Sequence, residues 1–214
     1  MTPERLIAKH PTLYHMADAR NWASIERFGL LSTTALLDRY AVAGPERAAI
    51  EVEHRPATVE IRHPDLGPAY VRDQAPLNPA VLPGCLTDVT PPEWLATLNA
   101  RVFFWPTEDR LSRMLKAYLK TEQAVFEVDT RRFLDRYADR VELAHINSGF
   151  ANAAYKPAPR GSGTFQRLAD YADKASNAVA EVTVPGGVPD IFDLTIRVTG
   201  RRRGRPDGVI WPPA

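Results

Sequence analysis

The sequence predicts an α+β protein with strand concentrated in its second half. Three observations carry that reading. Apolar residues recur at three- and four-residue spacing in several segments, as in Trp22, Ile25 and Phe28, or Leu111, Met114, Leu115 and Tyr118. Elsewhere they run together or alternate, as in "AVFEV" and "TVEIR". The two kinds of segment are interleaved, with neither an internal repeat nor a linker between them.

Taken in order, a short helix is expected over residues 3–9, with Thr2 as cap and Pro3 in its first turn, ended by Pro11. "TLYHM" reads as a strand. "DARNWASIERFG" reads as a helix stopped by Gly29, because glycine accepts the left-handed conformation that closes helices. "STTALLDRYAV", capped by Ser32 or Thr33, and "GPERAAIEVEHR", with Pro45 near its first turn, give two more helices. Two strands flank the turn "HPDLGP". A helix from Pro91 or Pro92 leads into the strand "RVFFW". "TEDRLSRMLKAYL" is a helix, "EQAVFEVDT" a strand, "RRFLDRYAD" a helix and "VELAHI" a strand. The long Gly-, Pro- and Ser-rich connection 147–165 is of the kind that carries function or moves. A short helix in "QRLADYADK", a strand with a Pro-Gly-Gly turn in "NAVAEVTVPGGVPDI" and a last strand in "FDLTIRV" follow. Residues 201–214 read as a basic, Pro-rich tail on a single domain of residues 1–200.

A chain of 214 residues can bury a core without staples. Its 44% hydrophobic and 25% charged content is that of a soluble globular protein. A net charge of +1 commits it neither to nucleic acid nor to an anionic membrane. The single cysteine, Cys85, excludes an internal disulfide and a Cys-rich zinc cage, and no activating partner lies near it in sequence. The histidines show no paired metal spacing. The N-terminus lacks the pattern of a secretory signal, and no apolar run approaches the roughly 20 residues of a membrane span. A cytoplasmic protein with no membrane partner is expected.

The segment "LYHMADARNWASIERFGLLS" places Tyr14 and His15 side by side, then Asn21, Ile25 and Gly29-Leu30-Leu31. That pattern resembles the N-terminal NAD-binding segment of the DarT-like branch of the ADP-ribosyltransferases. One departure is Ala17, which stands where that family usually has threonine and removes a hydroxyl from the nicotinamide–ribose contacts. "ARVFFWPTEDRLSRML" and "NAVAEVTVPGGVP" are similar to a middle strand–helix and a late strand of that family. The resemblance covers about half the chain. It implies an ADP-ribosyltransferase-like split β-sheet flanked by helices, with NAD as substrate. It implies Glu181 as catalytic carboxylate, and Tyr14, His15, Asn21, Gly29 and Leu30 at the nicotinamide end. A nucleic-acid acceptor is favoured over protein. A toxin or phage-defence role, with an antitoxin or immunity partner, is implied by the family alone.

The residues set their own terms beside that resemblance. Transfer from NAD releases nicotinamide and leaves positive charge on the ribose, so the site needs a carboxylate nearby and a cation at the pyrophosphate. Glu181 lies in the apolar run "AVAEVTV", where an inward charge needs a reason. Glu127 in "AVFEVDT" has nearly the same setting and is its rival. Arg72 is the first choice for phosphate, with Arg101 and Arg160 as further ligand-binding candidates, since a guanidinium forks onto two oxygens. His15 and Asn21 also have ordinary readings, as a packed histidine and a helix cap. Phe103, Phe104 and Trp105 read as core. "RRRGR", residues 201–205, reads either as a solvated tail or as a salt-dependent contact to nucleic-acid phosphate. Two alternatives stand beside the transferase. One is a catalytically inactive module of the same fold that binds NAD or nucleic acid; the other is NAD-dependent tRNA 2′-phosphotransferase chemistry.

Overall fold

The computed structural model describes residues 1–174 and 178–212. The chain begins with α1 (Pro3–Lys9), capped by Thr2, whose hydroxyl accepts from Arg5 N–H. Strand β1 (Thr12–Asp18) follows, then a 3-10 turn at Ala19–Asn21 and α2 (Trp22–Phe28). The two-residue strand β2 (Leu30–Leu31) leads to α3 (Thr33–Arg39), where Ser32 is the cap and accepts from Ala35 N–H. Helix α4 (Gly44–Glu51) precedes the hairpin β3 (Val59–His63) and β4 (Gly67–Val71), as the alternation there predicts. Helix α5 (Pro91–Asn99) opens on a Thr90–Glu93 capping box and feeds β5 (Arg101–Phe104).

Helix α6 (Glu108–Ala117), strand β6 (Gln123–Asp129), helix α7 (Thr130–Tyr137) and strand β7 (Glu142–Ala144) complete the middle. The final part holds β8 (Gln166–Arg167), β9 (Glu181–Pro185), β10 (Gly187–Val188), α8 (Ile191–Leu194), β11 (Thr195–Arg202) and β12 (Arg205–Trp211). The protein is α+β. Two four-stranded sheets form its frame, in the orders β1-β6-β11-β12 and β5-β9-β7-β8, with antiparallel pairs throughout.

The sheets meet at one point. Tyr14 of β1 and Trp105, just past β5, exchange backbone hydrogen bonds of 2.9 and 2.7 Å. This junction lets β1 and β5 diverge beyond it and leaves a cleft between them. The main core fills the sheet faces with Leu13, Phe104, Phe126, Phe133, Val182 and Val198, all inaccessible to solvent. A second cluster packs α5 against the long connection, where Trp94 stacks on Phe165 at 5.9 Å.

Three expectations change. Residues 166–174 do not form a helix: Gln166 and Arg167 pair with Leu143 and Glu142 of β7 before a single 3-10 turn. Residues 192–194 of the expected last strand belong to α8, and the strand proper begins at Thr195. The largest change concerns 201–214, which are not a tail as far as they are described. Residues 195–211 form a hairpin, and β11 adds directly to β6. Arg203 and Gly204 form its two-residue turn with φ of 50° and 74°, the positive values that such hairpin turns require. Two of the basic side chains that hide the strand pattern are matched to acids on or beside the neighbouring strand. Arg197 pairs with Glu127 and Arg202 with Glu122.

Candidate active site

Strand alternation on β1 separates Tyr14 from His15. His15 points toward β5, where its Nδ1 lies 2.8 Å from the Phe103 carbonyl. A carbonyl can only accept, so Nδ1 carries the proton and Nε2 is left as the acceptor. The ring packs against Phe104 and Phe126. Burial lowers its pKa to about 4, the Arg72 cation adds to that, and only the Phe103 bond opposes it. His15 is therefore a neutral imidazole at physiological pH, with its free nitrogen at the cleft.

Glu181 begins β9 opposite Ala144 and is 3% exposed. Its two carboxylate oxygens each accept from Ser148 N–H at 3.2 Å. Burial raises its pKa to about 7, against the lowering effect of Ser148 and of the Arg110 and Arg160 cations. One desolvated environment thus pushes an acid up and a base down, so both drift toward neutrality. Glu127 is elsewhere: it faces Tyr14 across the sheet and pairs with Arg197 at 2.7 Å.

His15 and Glu181 line the same cleft, of about 290 Å³. Arg72, Asn21, Gly29, Leu30 and Arg101 line it too. Their states differ. Arg72 lies over the Tyr118 ring at 4.7 Å and donates to Gln123 Oε1 at 2.5 Å. It forms no ion pair among the described residues. Asp73, its sequence neighbour, instead accepts from Ala75 N–H and the Thr58 hydroxyl. Burial lowers the Arg72 pKa, with Tyr118, Asp18 and Asp73 opposing it. A partly buried guanidinium without a carboxylate is costly unless something anionic meets it.

Several expected ligand contacts are occupied by the protein itself. Arg101 donates to Glu142 (2.7 Å) and to the Thr97 carbonyl (2.7 Å). Asn21 stands at the N-cap position of α2 but its side chain makes no capping bond, and its amide is not free. Its Nδ2 donates to the Tyr70 carbonyl at 2.9 Å, and its Oδ1 accepts from Tyr70 N–H at 2.8 Å. That pair of bonds fastens β4 along the cleft wall. Asn21→Ala is expected to strand both Tyr70 groups and cost roughly 1–3 kcal/mol, read as a lower denaturation midpoint in urea.

Two expected ligand residues lie outside the cleft. Tyr14 faces the opposite side of the sheet, where its hydroxyl donates to Glu108 at 3.3 Å. Burial, Glu108 and Glu127 push its pKa up to about 12, and its contribution is the backbone junction with Trp105. Arg160 is 2% exposed and donates to the Ser148, Phe150 and Ala158 carbonyls. It folds the 147–150 loop and so positions the Ser148 amide that holds Glu181.

Sequence reasoning missed Arg55, which also lines the cleft. It donates to the Arg72 and Ile50 carbonyls and to Asn99 Oδ1, and burial lowers its pKa to about 10. It missed Asp18 as well, whose carboxylate is gripped by Arg20 at 2.9 and 2.7 Å. In sequence these read as ordinary surface charges. The 147–165 connection does carry site residues, since Asn147 and Gly149 reach the cleft.

The fold and cleft define an α+β protein with a partly desolvated pocket lined by the buried acid Glu181, the neutral imidazole His15 and two guanidiniums, Arg55 and Arg72, that have no carboxylate partner among the described residues. Residues 11–195 match the family of unknown function DUF7002, and the chain belongs to that family. No curated protein and no solved structure matches it. Among the described residues there is no acid, histidine and cysteine cluster able to hold a metal, and no helix is long and apolar enough to cross a membrane.

Proposed function

We propose that this protein is an NAD-dependent ADP-ribosyltransferase whose cleft binds the nicotinamide–ribose end of NAD. The observation that supports this most is the meeting of His15 and Glu181, from opposite ends of the chain, in one cleft with the unpaired Arg72. Arg72 supplies the cation for a diphosphate, and burial strengthens that attraction. His15 offers Nε2 as an acceptor to a ribose hydroxyl. Glu181 as carboxylate stabilises positive charge on the ribose while the bond from C1′ to nicotinamide breaks and its electron pair leaves with nicotinamide. It then takes the proton of the attacking acceptor group. The acceptor on this reading is a nucleic acid, with the arginines of the β11–β12 hairpin as its phosphate contacts and their binding salt-dependent.

A specific observation keeps a second reading in play, that of a binding module of the same fold without turnover. Ala17 lines the cleft without a hydroxyl, and Asn21 and Arg101 have their polar atoms committed within the protein. Calorimetric titration with NAD tests both readings. Arg72→Met is expected to weaken NAD binding about tenfold or more, the worth of one charged hydrogen bond, in a variant that stays folded. Equal affinity in the variant removes Arg72 from the site. Absence of NAD binding by wild type removes the transferase and leaves only a module that binds nucleic acid.

A further inference from the structure

A second, smaller pocket of about 50 Å³ opens beside Glu181. It shares Trp105, Asn147 and Glu181 with the main cleft, so these three residues stand at the border between the two spaces. Its distinct feature is a pair of arginines. Arg110 and Arg113 lie three residues apart on α6, on one face of the helix, and both line the pocket. Neither guanidinium forms an ion pair with a carboxylate among the described residues. Burial lowers the Arg110 pKa, and the neighbouring Arg113 cation lowers it further, while Glu181 and Tyr171 oppose them. Arg110 is partly buried and Arg113 exposed; their like charges repel each other, Glu181 offsets this only at Arg110, and an anion between the two would relieve it.

The pocket's size narrows the ligand. A space of about 50 Å³ holds about three to four water-sized groups, the size of a tetrahedral oxyanion. We propose that Arg110 and Arg113 form a phosphate-binding subsite beside Glu181, which takes the phosphomonoester group of a second ligand. The forks of two guanidiniums suit the several acceptor oxygens of such a group, and Trp105 borders both this pocket and the main cleft. The subsite does not depend on what the main cleft binds. Two sources of the group remain, a small sugar phosphate and the phosphorylated end of a nucleic-acid strand.

The test follows the arginine side-chain N–H signals by NMR in the full-length protein. The probes are inorganic phosphate, ribose 5-phosphate and a 5′-phosphorylated tetranucleotide, each at fixed ionic strength. Saturable shifts of the Arg110 and Arg113 signals are expected with inorganic phosphate. They are expected to persist in Arg72→Met, which separates this site from the main cleft. Affinity is expected to fall about tenfold or more in Arg110→Gln and Arg113→Gln, which lie at the surface of α6 and leave the core intact. Tighter binding of the tetranucleotide than of ribose 5-phosphate assigns the subsite to a nucleic-acid end, and the reverse assigns it to a sugar phosphate. Shifts confined to Arg72, or equal affinity in wild type and both Gln variants, overturn the proposal.

Discussion

Gly29→Ala is expected to destabilise the protein by about 3 kcal/mol or more, the sum of backbone strain and overpacking. Gly29 closes α2 with φ 70° and ψ −161°, a region that only glycine enters freely. A Cβ there would overlap Cα and O of Pro189, and those are backbone atoms that no rotamer change can move. The approach exists because β2 and β10 pair immediately beside it, Leu30 with Val188 and Leu31 with Gly187. A smaller cost, of overpacking alone and about 1–3 kcal/mol, follows at Gly187, where a Cβ would meet the Leu30 carbonyl at 2.7 Å. For a chain of this size, 3 kcal/mol corresponds to a fall in melting temperature of roughly 6–12 °C. A calorimetric scan that puts Gly29→Ala within about 2 °C of wild type would show that the Pro189 segment yields freely. The Gly-Leu-Leu pattern then has a structural reason: the glycine lets the end of α2 lie against the Pro189 backbone at the cleft wall.

Glu181→Gln is expected to act in opposite directions on stability and on turnover. The Glu181 pKa is raised from 4.5 in the unfolded chain to about 7 in the folded one. The folded protein therefore holds the proton more tightly than the unfolded chain between those values. That contribution to stability is fully present below about pH 4.5 and is lost as pH rises through about 7. By pH 8 the loss amounts to up to about 3 kcal/mol, because a tenfold difference in proton affinity between the two states is worth about 1.4 kcal/mol. Glutamine keeps the shape and carries no charge. The variant should therefore be as stable as wild type near pH 4.5 and more stable at pH 8, measured as urea midpoints across that range. A wild type whose stability does not fall between pH 5 and 8 relative to the variant would mean that the carboxyl is not desolvated as the structure has it. His15 adds the mirror effect. Its folded pKa is lowered to about 4, so its contribution is present above about 6.5 and is lost as pH falls through about 4.

The local chemistry of the chain was readable where it depends on neighbours in sequence. The caps Thr2 and Ser32, the Gly29 stop, the β3–β4 turn and the strand "RVFFW" all follow from residues within a few positions. The choice of Glu181 came from a polar residue inside an apolar run together with the resemblance, and the structure finds it buried at the cleft. What the sequence hid depends on distant partners. Nothing near Asn21 announces that β4 will take both of its amide groups, and nothing near Arg160 announces three carbonyls waiting for it. The hairpin 195–211 looked like a basic tail because the acids that pair with Arg197 and Arg202, Glu127 and Glu122, lie on or beside β6, far away in the chain. Arg55 carries no pattern at all in "EVEHRPATVE", yet it braces the cleft floor through Ile50, Arg72 and Asn99.

The central claim is that His15, Arg72 and Glu181 form one NAD-cleaving cleft. Its most direct measurement is release of labelled nicotinamide from NAD by the purified protein, with and without nucleic-acid acceptor, beside the Glu181→Gln variant. Release by wild type is expected to increase as pH rises through about 7, as Glu181 ionises. A loss of roughly a hundredfold or more is expected in Glu181→Gln, the scale of one removed electrostatic group, in a variant that stays folded. Release that is equal in the two proteins, or absent from wild type at every pH and with every acceptor, would contradict the claim.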